Sequence, residues 1–265
     1  MVDSGQADLV LAGGVESYSR RPLRLRTDPD GGPAVPYEQA PFTPWPDRDP
    51  EMAVAAATLA EAEGYSRAAQ EAWAIESHAK ALARTDWPEI VPLMGQGRDA
   101  FARPLTPALA ARARPIAGTV TPATAAVSAD AAAFCLIAAD RFARPGALNL
   151  AGGLTRGGVP DQPGTAPIAA IRAVLGRAGL SPADLTQSEI MEAYAAQAIA
   201  CVAGAGLDPA TVNPGGGALS RGHPIGASGA ILAVRLFHDL PAGGWGLAAI
   251  ASAGGIGTAA LLRRL

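Results

Sequence analysis

The chain has 265 residues, 49% hydrophobic and 17% charged, with 21 Lys and Arg against 24 Asp and Glu, the composition of a soluble globular protein of one large or two smaller domains. The net charge of −3 offers no basic field for nucleic acid, and no apolar run approaches the roughly 18–20 residues of a membrane span. The two cysteines, Cys135 and Cys201, each sit in an apolar stretch and read as small buried hydrophobes, while the first residues lack the basic and apolar blocks of a signal peptide, so a reducing cytoplasm is expected.

In chain order, Met1–Gly5 reads as a stub of helix and Asp8–Gly14 as a buried strand ending in a glycine pair. Residues 20–117 read as an irregular insertion. Its first part is rich in Pro, Arg, Asp and Gly, and Pro50–Arg84 has helical spacing, so two or three helices are expected there. Gly118–Val120 could form a short strand and Ala129–Asp140 a buried one. Then follow a strand at Ala147–Gly153, a helix at Ala166–Gly179, a strand at Ser188–Ala193 and a helix at Ala195–Gly204. After a glycine-rich loop come a helix at Gly226–Leu240 and strands at Gly246–Ala251 and Gly257–Leu262. This last part is a self-contained layered α/β unit. The first part supplies only about two strands, too few to cover their own apolar faces, so something should pair with that side.

The loop Asn213–Gly229, Asn-Pro-Gly-Gly-Gly-Ala-Leu-Ser-Arg-Gly-His-Pro-Ile-Gly-Ala-Ser-Gly, places His223 where glycines give way to an apolar helix. An imidazole at a helix N-terminus, among residues small enough to admit a ligand, is suited to carry a proton or to donate to an oxyanion. Together with Met191–Gln197 (Met-Glu-Ala-Tyr-Ala-Ala-Gln), Gly118–Thr121 (Gly-Thr-Val-Thr) and Ala12–Ser19 (Ala-Gly-Gly-Val-Glu-Ser-Tyr-Ser), this loop resembles the thiolases in order and spacing over nearly the whole chain.

The resemblance implies an α-β-α-β-α sandwich of two similar halves with a loop domain that holds coenzyme A inserted in the first. On this pattern residues 146–265 are the C-terminal half, 20–117 the loop domain, and 1–19 with 118–145 the tail of an N-terminal half whose front is absent. That front carries the family's acyl-accepting cysteine, at a helix N-terminus. The family's second cysteine opens a turn that here reads Ala251-Ser252-Ala253-Gly254-Gly255, and its Asn-Glu-Ala-Phe asparagine is Met191. What the resemblance leaves is His223, a backbone donor at Ala253, and Tyr194 as a weaker candidate base. Arg20, Arg21 and Arg24 open the loop domain, where they could meet the 3′-phosphate or pyrophosphate of coenzyme A or simply be solvated. Gly254 and Gly255 allow close approach of a thioester.

The bland readings stand beside these. Glu192 is expected to support its loop through hydrogen bonds rather than by acid–base chemistry. His78 is expected on a polar, exposed helix face, and His238 as a favourable charge at a helix C-terminus. An acyl-CoA enzyme whose nucleophile comes from a second chain is the leading reading, acting on 3-ketoacyl-CoA thioesters by acyl transfer or thiolysis. A non-catalytic coenzyme A-binding or scaffold subunit and a cysteine-independent, thiolase-like aldolase remain open. An oligomer is expected; a metal or covalent cofactor is not.

Overall fold

The computed structural model describes residues 1–265. Strand β1 (Leu9–Ser17) is followed by the small hairpin β2 (Arg24–Arg26) and β3 (Val35–Tyr37), helices α1 (Met52–Ala62) and α2 (Arg67–Ala83), the one-turn α3 (Pro107–Ala111), and strand β4 (Asp130–Ala138). Then come β5 (Leu148–Gly157), α4 (Ala166–Ala178), β6 (Gln187–Ile190), α5 (Ala195–Ala205), α6 (Ala218–Arg221), α7 (Ser228–Asp239), β7 (Trp245–Ser252) and β8 (Ile256–Arg264). No helix is long and apolar enough to cross a membrane.

Local chemistry sets the boundaries. The Ser66 side chain caps α2 by accepting from Ala69 N. Helices α4 and α5 stop at Gly179 and Gly206, both left-handed at φ 68° and 71°, a conformation that spares glycine the Cβ clash.

The last four strands form one sheet in the order β5-β8-β7-β6, antiparallel except for the parallel pair β6–β7. Helix α4 packs on β5, β8 and β7. Ile171, Val174 and Leu175 of α4 share one core with Ile190, Cys201, Val202, Leu247 and Leu261. Leu232 and Leu236 of α7 pack with Met191, Ala248 and Leu262.

Strands β1 and β4 form a separate antiparallel pair, in register from Leu9↔Ala138 to Ser17↔Asp130. Helix α7 contacts β4 and β1 as well as β7 and β6, so it is the layer shared by the two sheets. The opposite face of the β1–β4 pair is bare: Leu9, Leu11, Val15, Phe134 and Leu136 alternate along it and are 50%, 68%, 66%, 54% and 65% exposed. A contiguous apolar face of this kind marks an interaction surface rather than ordinary surface scatter.

The layered α/β architecture is as expected, with local corrections. Met1–Gly5 is a hydrogen-bonded turn, not a helix, and Gly118–Val120 lies in a turn closed by Ala117–Val120 backbone contacts. The helix expected from Gly226 begins at Ser228, because Pro224–Ala227 forms a turn ahead of it. Helix α6 went unread in the glycine loop. Cys201 is fully buried as expected, but Cys135 is only half-buried, since it sits on a two-stranded sheet with little around it.

The contrast between the two sheets is measurable in urea. Leu247→Ala removes a fully buried side chain and is expected to cost about 2–5 kcal/mol. Leu136→Ala, on the bare face, is expected to leave the isolated chain within about 0.5 kcal/mol of wild type. Equal losses at the two positions would mean that the bare face is covered.

Candidate active site

The glycine-rich loop is built on one buried carboxylate. Glu192, just after β6, is 2% exposed and accepts from Trp73 Nε1 (3.1 Å) and Ser77 Oγ (2.8 Å) of α2, from Asn213 Nδ2 (2.9 Å) and from Leu219 N (3.3 Å). Asn213 sits at φ +46°, and its side chain also pairs with the backbone of Ile190, accepting at 2.8 Å and donating at 2.9 Å. At Gly217 any Cβ would overlap the Glu192 carboxylate, so only glycine fits. A second buried charge acts from the other side. Arg235 of α7 donates to Gly216 O and lies 3.3 Å from Glu189 of β6, with both side chains buried. Burial pushes Glu189 upward and Arg235 opposes it.

The loop delivers His223 to the start of α7. Its backbone is clamped by Val127 O (2.7 Å from His223 N) and Ala129 N (3.2 Å from His223 O), the segment leading into β4. Its Nδ1 is 2.7 Å from Ser228 Oγ in the first turn of α7. Burial lowers the pKa of His223 from the ordinary 6.5 to about 4, and nearby Glu16 works against that shift. The imidazole is therefore neutral at pH 7, with one ring nitrogen held by Ser228 and the other left to act as donor or acceptor according to the tautomer.

The β7–β8 turn reaches the same end of the molecule. A Cβ on Gly229 would lie 4.0 Å from Ile250, which immediately precedes Ala251. Gly254 and Gly255 both have positive φ, at 84° and 83°. A side chain at Gly254 would come 2.9 Å from Phe42 O and one at Gly255 2.8 Å from Val159 C, so the turn is wedged between the insertion and the segment after β5. Ala253 lies at its apex, beside them.

Arg20, Arg21 and Arg24 lie after β1. Arg21 pairs with Glu38 at 3.0 Å and stacks on Tyr18 at 4.6 Å, and Arg24 donates to Glu38 O at 3.1 Å. With Ser19, Pro22, Leu23 and Tyr37, Arg21, Arg24 and Glu38 line an open recess of ≈ 260 Å³. Ser19 N donates to Asp130, two residues beyond Ser128, the bridge partner of His223. The arginine recess thus opens at the end of β1 and β4 that also carries His223.

Other candidates behave differently. Tyr194 precedes α5, and burial followed by Glu51 raises its pKa, so its phenol is a hydroxyl and not a base. The Met191 thioether is 2% exposed among Leu232, Leu236, Ala248 and Leu262, hence part of an apolar cluster. Cys201 points its thiol at Gly164 O (3.1 Å), and burial lifts it to about 12. The Cys135 thiol, on β4, is also pushed up by burial. Neither is a thiolate beside His223. His78 corrects the surface expectation: it is 5% exposed, with Nδ1 accepting from Arg103 N at 3.2 Å, and this loop lays Phe101 against Gly222. Burial, and then Arg103, lower its pKa.

Sequence reasoning passed over Trp73, Ser77, Glu189, Arg235 and the roles of Glu16 and Ser228. Only Ser228 carried a readable signal, as a hydroxyl in the first turn of the helix that the histidine loop introduces. The others make their contacts with positions up to 210 residues away.

Family models match the chain in two parts: Thiolase, N-terminal domain, matches residues 1–141 and Thiolase, C-terminal domain, residues 148–264. The beta-ketothiolase BktB of Cupriavidus necator is 35% identical, in an alignment covering 98% of this chain and 73% of that protein. Among solved structures, the Acat5 thiolase from Ascaris suum in complex with coenzyme A superposes with a TM-score of 0.88 at 28% identity, covering 100% of this chain and 74% of that one. Human mitochondrial 3-ketoacyl-CoA thiolase in complex with CoA superposes with a TM-score of 0.90 at 28% identity, covering 100% and 73%.

Two measurements test this geometry. Glu192→Ala removes the acceptor of Trp73 Nε1, of one Asn213 amide hydrogen and of Leu219 N, leaving Ser77 only the Ser220 hydroxyl, and is expected to cost about 3 kcal/mol by urea unfolding; a loss below about 1 kcal/mol would refute the anchoring role. In an NMR titration the His223 Cε1 proton is expected to stay flat from pH 8 to 6 and move toward its protonated shift only near pH 4. Because the folded pKa is depressed, the unfolded chain takes up a proton between pH 6.5 and 4 that the folded chain refuses. The contribution to stability is therefore full above about 6.5 and falls as the pH drops toward 4. A midpoint near 6.5 would contradict the buried, neutral imidazole.

Proposed function

The chain belongs to the thiolase family, and from that premise we propose that its His223 end receives the thioester of an acyl-coenzyme A and moves the proton that acyl transfer or thiolysis requires. The observation that carries this is the neutral imidazole held at Nδ1 by Ser228. A thiol that attacks a thioester carbonyl must lose its proton while the carbonyl oxygen gains negative charge. With Nδ1–H donated to Ser228, the other nitrogen accepts that proton; in the other tautomer it donates to the oxygen. The backbone N–H of Ala253 is the second donor in this reading, and Gly254 and Gly255 give its turn the positive φ it needs. Arg20, Arg21 and Arg24 take the phosphates of coenzyme A, with Arg21 exchanging Glu38 for the anion.

The attacking thiol comes from outside these residues in this reading, because Cys135 and Cys201 are protonated and placed elsewhere. A second polypeptide brings it. Support for that comes from comparing the two sheets of the chain. The antiparallel pair β7–β8 is flanked by β6 and β5 and covered by α4, whereas β1–β4, pressed on the same helix α7, has neither flank nor cover. The partner supplies both, together with the nucleophile. A reducing compartment, the cytoplasm, suits the two unpaired cysteines.

One observation favours a second reading, a coenzyme A-binding subunit without catalysis. The family's motif asparagine and second cysteine fall at Met191 and Ala251, and the Met191 side chain is wholly absorbed in an apolar cluster.

Calorimetric titration with coenzyme A and acetyl-CoA, followed by a thiolysis assay of the chain alone and with candidate partners, separates these readings. Binding without turnover by the chain alone is expected, lost or weakened at least tenfold in the Arg21→Ala, Arg24→Ala double variant. Turnover is expected only with a partner, and His223→Ala is expected to lower kcat by 10² or more. Binding with no turnover under any pairing selects the subunit reading; no binding at all overturns both.

A further inference from the structure

Glu16, near the end of β1, is partly buried and its carboxylate is fixed at both oxygens. Oε1 accepts from Ser17 N at 3.1 Å and Oε2 from Gly226 N at 3.3 Å. The second bond crosses from the β1–β4 sheet to the turn Pro224–Ala227, which joins His223 to α7. The two segments meet backbone to backbone: a Cβ on Gly14 would overlap Gly226 O, and one on Gly226 would come 2.7 Å from Val15 O. No side chain stands between them, so the position of the turn is dictated by β1.

The charges around His223 are few. Helix α7 offers the neutral Ser228, and the clamping segment Val127–Ala129 carries none. Arg221, two residues before His223, is taken up by Glu89 and Asp99. Glu16 from β1 is the acidic group that acts on the imidazole, against burial.

We propose that Glu16 is a positioning residue for His223: its bond to Gly226 N fixes the turn that carries the imidazole, and its negative charge beside that turn sets how readily the ring takes a proton. The proposal rests on His223 being the proton-handling group, and it makes the proton affinity of the ring depend on a residue of the other sheet. In a reaction where His223 accepts a proton from a thiol, a fixed carboxylate stabilises the imidazolium that forms. It is not itself in contact with the ring and is not a catalytic residue.

The test is an NMR titration of His223 in wild type, Glu16→Gln and Glu16→Asp, with the resonance assigned by its loss in His223→Gln. Glu16→Gln keeps an acceptor for Gly226 N and removes the charge. It is expected to lower the His223 midpoint by about half a unit to one unit, with the urea midpoint unchanged, while Glu16→Asp restores most of the shift. An unmoved midpoint in a folded Glu16→Gln overturns the proposal. Should acid unfold the chain first, spectra at pH 7 carry the test. In Glu16→Ala the Gly226 amide is expected to lose its hydrogen-bonded shift and the ¹⁵N shifts of the His223 ring to move. Unchanged ring shifts there overturn the proposal equally. Neither measurement needs turnover, so a chain that binds no coenzyme A refutes the proposed function while leaving the Glu16–His223 coupling to be judged separately.

Discussion

The arrangement of the whole His223 end depends on burying the Glu192 carboxylate with its hydrogen bonds met. A buried charge is tolerable only when its acceptor sites are filled, and here they are filled from three directions: the indole and hydroxyl of α2, the amide of Asn213 and the backbone of α6. Because the four donors come from three separate segments, satisfying one carboxylate fixes three elements at once. The glycines at 216 and 217 follow from this, since the loop passes so close to Ser77 and Glu192 that no side chain can be accommodated. Arg235 completes the arrangement by tying Gly216 to α7, the helix whose start carries the histidine.

The insertion is therefore part of the site's support rather than an appendage. Helix α2 provides two of the donors to Glu192, and farther along the chain the Trp87 ring takes two guanidinium groups, Arg84 at 4.5 Å and Arg221 at 4.1 Å from its centre. Arg221 belongs to the histidine loop, and Arg84 pairs with Asp239 at the end of α7. Such stacked and paired arginines hold a planar geometry that lysines could not reproduce. The support reaches α7 at both ends and leaves the imidazole between a fixed hydroxyl and a fixed carboxylate.

Much of this was legible in the residues. The alternation and apolar runs gave β1, β4 and the whole second sheet to within a few residues, because strong periodicity, glycine stops and tight loops act locally. The Asn213–Gly229 loop announced itself, and Glu192 was read as a support. What escaped depended on distance in sequence. His78 has a polar local neighbourhood, so its helix face looked exposed, yet the loop from residue 99 to 105 folds over it. Glu189 and Arg235 look like ordinary surface charges until β6 and α7 are packed together. Met191 was legible as the loss of a polar group, but not as a member of the α7 core. Helix α6 is a single turn whose Leu219 N–H donates to Glu192, and it has no periodicity to betray it.

The contact of Gly14 with Gly226 has a thermodynamic consequence. Gly14 occupies space that the backbone of Gly226 denies to any larger residue, and Gly226 occupies space that the backbone of Val15 denies, so accommodating a methyl at either place requires the strand and the turn to separate. Once separated, the second methyl meets little further resistance. Free energies of substitution at the two positions should therefore be strongly non-additive, the double change costing much less than the sum of the single ones. Two residues 212 apart in the chain behave energetically as one site, and that site is the joint through which the two sheets hold a common geometry.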